Sequence, residues 1–260
     1  MNLLEQLSEH AKERVAQAKK NVSLQEMKRL AHNMPNGLFS FEKALQKPGI
    51  SFICECKKAS PSKGLIAEDF PYVEIAKAYE DAGADAISVL TEPKWFLGRK
   101  EYLKEIAENV SIPCLRKDFT VDEYMIYEAK VFGASAVLLI CSILTEKEIT
   151  DYIRICDSLG LSALVEVHDE QEIRTALRAG ARIIGVNNRN LKDFTVDTGN
   201  SKRLRSFVPK EVLFVAESGV KTGKEIEALQ EAGVDAVLIG ETLMKALDKK
   251  AKLQELRGCL

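Results

Sequence analysis

Residues 81–90, Asp-Ala-Gly-Ala-Asp-Ala-Ile-Ser-Val-Leu, show an arrangement that is repeated along most of this chain. Gly83 follows a segment with helical spacing, and a short apolar run begins soon after it. A glycine just past the end of a helix adopts the left-handed backbone conformation at little steric cost, so it closes the helix. The apolar run that follows predicts a buried strand. The stretch is therefore typical of a helix–turn–strand unit.

The same unit recurs at 132–140, 179–186 and 232–239, with a looser copy at 159–165. With the apolar runs before and between these copies, we expect eight strands, near residues 51–57, 86–91, 114–119, 136–142, 162–167, 183–188, 212–217 and 236–240. Short apolar strands that alternate with helices indicate a parallel sheet buried on both faces. Eight units of this kind predict an α/β fold, a (β/α)8 TIM barrel. A doubly wound sheet is disfavoured because no G-x-G-x-x-G follows the first strand.

The first 48 residues precede the repeat. Leu3, Leu7 and Ala11 have helical spacing, and the pattern resumes at Leu24. We expect residues 1–48 to form a helical extension that packs on the barrel, so that residues 1–260 form a single domain.

The composition disfavours several classes of partner. The chain has 37 Lys and Arg against 39 Asp and Glu, a net charge of −2, and therefore no basic excess for nucleic acid. No apolar run approaches the roughly 20 residues that span a bilayer, and no signal peptide is recognisable. The six cysteines lack the spacing of a zinc site or a disulfide framework. We expect a cytoplasmic protein without a membrane partner.

Polar side chains stand where the expected strands end, which is where barrel enzymes carry their chemistry. These residues are Glu55 and Lys57, Arg116, Lys117 and Asp118, Glu166, Asn187, Asn188 and Arg189, Glu217, Ser218 and Gly219, and Gly240 and Glu241. Glu55 and Lys57 share a strand face because they are two residues apart. Glu166 lies inside an apolar run, where a lone carboxylate is costly, so we expect Lys57 or Lys117 to be its partner. His168 is expected to be a rim or core histidine rather than a catalyst.

Two glycine-containing turns follow the last two strands. Ser218-Gly219 and Gly240-Glu241 each precede an expected helix, and backbone N–H groups at such a point bind anions. The loops after strands seven and eight form the phosphate site of many barrels. The residues thus predict an enzyme for a small phosphorylated substrate, in which lysine and glutamate transfer protons and no metal takes part.

Residues 55–64, Glu-Cys-Lys-Lys-Ala-Ser-Pro-Ser-Lys-Gly, closely resemble the signature of the indole-3-glycerol phosphate synthase family. The resemblance extends over roughly residues 30–245. Its further segments are 90–96, 116–119, 164–167, 185–191, 216–219 and 239–241.

The resemblance implies a ring closure without cofactor or metal. The family converts 1-(2-carboxyphenylamino)-1-deoxyribulose 5-phosphate to indole-3-glycerol phosphate, with loss of carbon dioxide and water, in tryptophan biosynthesis. Lys117 matches the general acid, and Lys57, Glu55 and Glu166 match positions for the later proton transfers. The resemblance leaves open which of the two carboxylates is the base.

The remaining site residues also follow from the resemblance. Asn187 and Ser218 match substrate-binding positions of the catalytic set. Ser60, Gly219, Gly240 and Glu241 match phosphate and substrate contacts. The anthranilate ring would contact Phe96, Phe119 and Leu191, with Arg189 at the same rim.

Two alternatives stay open from the residues alone. Phosphoribosylanthranilate isomerase, a barrel of the same pathway, uses a Cys and an Asp at strand ends, whereas the first strand here offers Glu55 and Lys57. A non-catalytic binding module should have lost at least one of Lys57, Lys117 and Glu166.

The loop Lys58–Phe70 exceeds the usual connection of about 2–6 residues, so we expect a mobile lid. We expect a monomer.

Overall fold

The computed structural model describes residues 2–190 and 194–258, and its centre is a closed barrel of parallel strands. The eight barrel strands in this part of the chain are β1 (Ser51–Cys56), β2 (Ala86–Leu90), β3 (Cys114–Lys117), β4 (Ala136–Ile140), β5 (Ser162–Val167), β6 (Ile183–Asn187), β7 (Leu213–Glu217) and β8 (Ala236–Ile239). Each strand pairs with its neighbours in sequence, and β1 closes the barrel because Ile53 pairs with both Ala86 and Leu238. The predicted TIM barrel is confirmed.

Helices surround the strands in alternation. They are α1 (Leu3–Asn21), α2 (Leu24–His32), α3 (Ser40–Leu45), α4 (Tyr72–Asp81), α5 (Lys100–Asn109), α6 (Glu123–Val131), α7 (Glu146–Leu159), α8 (Glu170–Arg178), α9 (Gly199–Arg205), α10 (Gly223–Glu231), α11 (Glu241–Met244) and α12 (Lys249–Leu256). Gly83 has a φ of 89° just past α4, as the sequence pattern predicts. Among the described residues, no helix is long and apolar enough to cross a membrane.

The barrel interior is filled by layers of side chains from alternate strands. The first apolar layer of the odd strands is Ile53, Leu115, Leu164 and Val215. Two positions further along each odd strand, the same face carries Glu55, Lys117, Glu166 and Glu217. We call these four side chains the charged layer. Because side chains alternate with period two, the charged layer continues the barrel core toward the carboxyl ends of the strands.

The N-terminal helices cover both ends of the barrel. Leu3 and Leu7 of α1 line the cavity at the carboxyl ends of the strands. Arg14 of α1 donates two hydrogen bonds to Asp118, of 2.7 and 3.1 Å, which fix the helix beside Lys117. The predicted extension is therefore helical and packed against the barrel at this end.

Helix α3 was not predicted from the sequence. It lies at the opposite end of the barrel, where the backbone N–H of Glu42 donates to Ser162 at the start of β5. Phe41 and Leu45 of this helix are fully buried against the interior of the barrel. These two side chains close the end of the barrel remote from the charged layer.

Candidate active site

A cavity of about 760 Å³ opens at the carboxyl ends of the strands, and we call it the main cavity. Every described residue that the sequence predicted for the site lines it: Glu55, Lys57, Ser60, Phe96, Lys117, Phe119, Glu166, Asn187, Arg189, Ser218, Gly219, Gly240 and Glu241. Leu191 lies outside the described residues. The structure thus brings residues from separate strands and loops together around one cavity.

Lys117 lies between two carboxylates of the charged layer. Its Nζ is 3.3 Å from Glu166 Oε2 and 3.4 Å from Glu217 Oε2, and both glutamates are almost fully buried. Burial alone would lower the pKa of Lys117, but the negative charges of Glu217, Glu166 and Glu55 outweigh burial and raise it. The ammonium form of Lys117 is therefore stable at neutral pH, and Lys117 lines the main cavity.

The two carboxylates beside Lys117 differ in protonation. Burial favours the neutral form of Glu166, but Lys117, His168 and a 3.3 Å hydrogen bond from Asn187 together lower its pKa. Burial raises the pKa of Glu217 to about 7, because Lys117 only partly offsets it and nearby carboxylates add to it. One site thus holds an ionised carboxylate and a carboxyl that titrates near neutrality, the arrangement that acid–base catalysis uses.

Glu217 is a functional candidate that the sequence analysis did not select. Its Oε1 is buried and has no hydrogen-bond partner within the described residues, although a buried polar atom is normally paired. The signal was available, because Glu217 ends β7 just before Ser218 and is one of the polar strand ends of the sequence. No role was assigned to it there, in contrast to the adjacent Ser218 and Gly219.

Lys57 and Glu55 form a second ion pair at the end of β1. Lys57 Nζ is 2.5 Å from Glu55 Oε1, and the Ser88 hydroxyl lies 3.5 Å from the other carboxylate oxygen. The pair confirms that the two side chains share one strand face. Lys57 is therefore the partner of Glu55, and Lys117 is the partner of Glu166.

Two glycines make room for the charged layer. A methyl group at Gly185 would overlap Glu217 Oε1 and would lie 3.1 Å from Leu164 Cδ1. A methyl group at Gly240 would overlap Glu55 Oε1 and would come within 2.8 Å of Lys57 Nζ. Since real Cβ atoms do not approach neighbours so closely, glycine at both positions is a condition for these side-chain positions.

The turn before α10 differs from the expected helix start. Ser218 and Gly219 have φ values of 68° and 91°, and α10 begins only at Gly223 with Thr222 as its N-cap. Ser218-Gly219 therefore forms a left-handed turn rather than a helix N-terminus. Gly240 does precede a helix, but α11 has only 4 residues. Both turns line the main cavity.

The aromatic wall is fixed by a buried carboxylate. Phe96 and Phe119 stand with ring centroids 6.2 Å apart in the main cavity. Glu92 is fully buried and accepts the backbone N–H groups of Trp95 at 2.7 Å and Phe96 at 3.0 Å. Glu92 was not selected from the sequence, because its role depends on how the loop folds back on it.

The loop after β1 folds into a hairpin over the rim. Ala59–Ser60 pairs with Gly64–Leu65 in antiparallel fashion, and the Lys58 carbonyl accepts from the Ile66 and Ala67 N–H groups. Ser60 is buried, whereas its cross-strand partner Gly64 and the adjacent Leu65 are exposed. Within the described part of the chain, no three His, Cys, Asp or Glu side chains are grouped to hold a metal ion.

Comparison with solved structures shows the fold. The structure of a 3-hexulose-6-phosphate synthase covers 81% of this chain and 100% of its own, with a TM-score of 0.64 and 18% identity. Thiamine phosphate pyrophosphorylase from Pyrococcus furiosus covers 84% and 96%, with a TM-score of 0.61 and 18% identity. At this level of identity the likeness concerns the barrel alone.

Comparison with known sequences identifies the family. The family model described as indole-3-glycerol phosphate synthase matches residues 4–256. The indole-3-glycerol phosphate synthase of Ruminiclostridium cellulolyticum is 56% identical over 257 residues, which cover 98% of this chain and 99% of that protein. That of Lachnoclostridium phytofermentans is 52% identical over 99% of this chain and 100% of its own. The chain belongs to the indole-3-glycerol phosphate synthase family.

Proposed function

We propose that the charged layer and Lys57 carry the proton transfers of the reaction that defines this family. As a member, the chain is a decarboxylating lyase that forms indole-3-glycerol phosphate in tryptophan biosynthesis. Its substrate is 1-(2-carboxyphenylamino)-1-deoxyribulose 5-phosphate, and carbon dioxide and water are released. The observation that supports these roles most strongly is the placement of Lys117 between Glu166 and Glu217 inside the main cavity.

Lys117 is the general acid of ring closure in this proposal. As the aryl carbon bonds to the carbonyl carbon, the carbonyl oxygen gains negative charge and takes a proton from Nζ. The raised pKa of Lys117 keeps that proton in place until the oxygen becomes basic. The substrate carboxylate then leaves as carbon dioxide, and its bonding electrons restore the aromatic ring.

Dehydration needs a second acid and a base. Lys57, paired with Glu55, protonates the departing hydroxyl group so that it leaves as water. Glu166 takes a proton from the ring that is being formed, because its lowered pKa leaves it ionised and Asn187 orients it. Glu217, with a pKa of about 7, exchanges a proton with Lys117 between turnovers.

The rest of the main cavity suits the rest of the substrate. Phe96 and Phe119 offer an apolar wall for the anthranilate ring, with Leu191 proposed beside them. The phosphate would bind at the N–H groups of Gly219 and Gly240, with Ser60, Ser218 and Arg189 at the rim. Crystals soaked in phosphate should show the anion within hydrogen-bond reach of both glycines. An anion bound only elsewhere on the rim would contradict this placement.

Glu241 is proposed to act through nearby cations rather than as an anion ligand. Its carboxylate is 2.7 Å from Lys245 Nζ and 3.8 Å from Lys63 Nζ. Lys63 lies in the hairpin after β1. The carboxylate of Glu241 therefore holds the ammonium group of Lys63 beside the turn at Gly240, where the phosphate would bind.

The experiment that tests the two lysine roles is a quenched single-turnover assay with Lys57→Ala. If Lys57 serves dehydration, the substrate should be consumed and the decarboxylated hydroxy intermediate should accumulate. If unreacted substrate is all that accumulates, Lys57 acts before decarboxylation and its assigned role is wrong. Family membership disfavours the isomerase and the non-catalytic module, and formation of indole product by the wild-type chain separates it from both.

Three further features belong to the proposal. We expect a single domain with residues 1–48 as its extension, a monomer and a cytoplasmic location. The five described cysteines are all free thiols, which suits a reducing compartment. One cooperative urea transition and a monomer mass by light scattering would support the first two, whereas two separate transitions or a dimer mass would overturn them.

A further inference from the structure

His168 lies just past the end of β5 and is held on one side by Glu172. Its Nδ1 is 3.3 Å from Glu172 Oε2, and its own backbone N–H donates to the same oxygen at 2.7 Å. Glu172 lies in the first turn of α8, and its own backbone N–H donates to Asp169 Oδ1 at 2.9 Å. The ring orientation of His168 is therefore set by the start of α8.

The other ring nitrogen of His168 faces the charged layer. Nε2 is 3.6 Å from Glu166 Oε1, is buried, and has no hydrogen-bond partner within the described residues. The distance is too long for a hydrogen bond, but opposite charges at this separation interact strongly when they are shielded from water. The same oxygen of Glu166 accepts from Asn187 Nδ2. Glu166 therefore has Lys117 on one oxygen and His168 with Asn187 on the other.

The surroundings of His168 are predominantly acidic. Glu166 faces it from β5, Glu217 from β7, Glu172 and Asp169 from α8, and Asp197 from the loop before α9, while Lys117 stands beyond Glu166. Burial lowers the pKa of His168, but the bond to Glu172 and the charges of Glu166, Glu172 and Glu217 outweigh burial and raise it. The protonated ring also adds positive charge to a site in which Glu55, Glu166 and Glu217 form ion pairs with two described lysines, Lys57 and Lys117.

A second cavity gives His168 its own contact with solvent. This side cavity, of about 470 Å³, is lined by His168, Glu172 and Asn187 among others, and His168 keeps 24% of its side-chain surface exposed. Among the described residues, His168 is not one of those that line the main cavity. A substrate that fills the main cavity would therefore leave the ring free to exchange its proton through the side cavity.

We propose that His168 is a positioning residue for the family reaction, whose imidazolium, oriented by Glu172, keeps Glu166 ionised and aimed at Lys117. The inference rests on the proposed role of Glu166 as base. Its consequence is specific to pH. Below the pKa of His168 the cation supports Glu166, and above that pKa the neutral ring contributes only its shape.

The kinetic test compares His168→Gln with the wild type across pH. Loss of the cation raises the pKa of Glu166, so the acidic limb of the kcat profile should move upward by about one pH unit. The wild-type advantage should be greatest at the acidic end and should disappear above the pKa of His168. A loss of kcat by the same factor at every pH would show a merely structural role and overturn the proposal, as would an unchanged profile. His32→Gln, on the exposed face of α2, is the matched control and should behave as the wild type.

A second measurement needs neither substrate nor turnover. Proton NMR of the free enzyme follows the titration of each of its 3 histidines, and the His168 signal is assigned as the one that remains in both His10→Gln and His32→Gln. The midpoint of His168 should fall in Glu172→Gln and again in Glu166→Gln. Midpoints unaffected by both changes would overturn the proposal even if His168→Gln failed to fold. Failure of the proposed function would appear instead in the Lys117 and Lys57 variants, with these midpoints still shifted.

Discussion

Lys117 and Glu217 meet across the full width of the barrel, with Nζ 3.4 Å from Oε2. Their strands, β3 and β7, lie opposite each other in the closed order, so no local sequence element connects them. The contact forms because the four odd strands place side chains in one layer. The three carboxylates of that layer form ion pairs with two lysines: Glu55 with Lys57, and Glu166 and Glu217 with Lys117. The chemistry of the site is thus a direct consequence of barrel closure.

Glu217→Gln should separate activity from stability. The native carboxyl has a pKa of about 7 against an ordinary value of 4.5, so the folded chain binds more protons between these pH values. Its stabilising contribution is therefore fully present below about pH 4.5 and is lost as pH rises through 7. The amide avoids this loss, so the variant should be more stable than the wild type at pH 8, by up to about 3 kcal/mol, and should lose activity.

Urea denaturation at pH 5 and pH 8 measures this difference directly. The gain should be largest at pH 8 and small at pH 5. A variant that is less stable than the wild type at pH 8 would show that the carboxyl is ionised without cost in the native chain. Activity measured on the same samples shows whether the stabilised variant has lost the proton exchange assigned to Glu217.

Gly185→Ala should impair catalysis by displacing Glu217. The added methyl group cannot occupy its place unless Glu217 Oε1 moves, so the contact with Lys117 should lengthen. We expect kcat to fall by roughly tenfold or more, because small displacements of catalytic groups carry large penalties. A crystal structure of the variant should show Glu217 in a new rotamer.

Gly49→Ala is the control for Gly185→Ala. Gly49 has a φ of 83° and no neighbour within 4 Å of an added Cβ, at the end of the barrel remote from the site. It should lower stability by about 1 kcal/mol through backbone strain and leave kcat unchanged. Equal losses of kcat in both variants would mean that Gly185 matters only for folding.

The lid loop Lys58–Phe70 should respond to ligand. The second strand of its hairpin, Gly64–Leu65, is exposed, whereas the first strand, Ala59–Ser60, is buried. Closure over a bound substrate would exclude water and hide the exposed strand. Limited proteolysis should therefore cut this loop more slowly with saturating product than without it. The same rate of cleavage in both conditions would indicate a static connection.

The fold could be predicted because its signals are local. The unit of a helix-ending glycine and an apolar run recurs before five of the strands, and apolar runs alone mark the other three, so every barrel strand is placed to within two residues. The described residues predicted for the site line one cavity, because the carboxyl ends of barrel strands meet at one end of the barrel. Lys57 and Lys117 could be placed at the mouth, but their assignment to Glu55 and Glu166 required the observed distances.

The features that were missed depend on tertiary contacts. Helix α3 is short, and only its burial of Phe41 and Leu45 shows that it closes the barrel. The titration of Glu217 near pH 7 follows from its burial beside two other carboxylates, which no sequence spacing reveals. Gly185 resembles any other strand glycine until the position of Glu217 explains it.

Lys117→Ala is the most direct test of the proposed acid, provided that the variant is folded. Removing the ammonium leaves Glu166 and Glu217 buried without their partner, so the variant should be less stable and must be assayed below its unfolding transition. Lys147→Ala, at a lysine with 85% of its side chain exposed, is the control and should match the wild type.

The decisive measurement is therefore the steady-state kinetics of folded Lys117→Ala with the carboxyphenylamino substrate. The proposed role predicts that kcat falls by roughly 10²–10⁴-fold, the range typical of a general acid. KM should change much less, because the proposed ring and phosphate contacts lie elsewhere in the main cavity. Near-normal kcat in the folded variant would contradict the assignment and would make Lys57 the candidate for the first step.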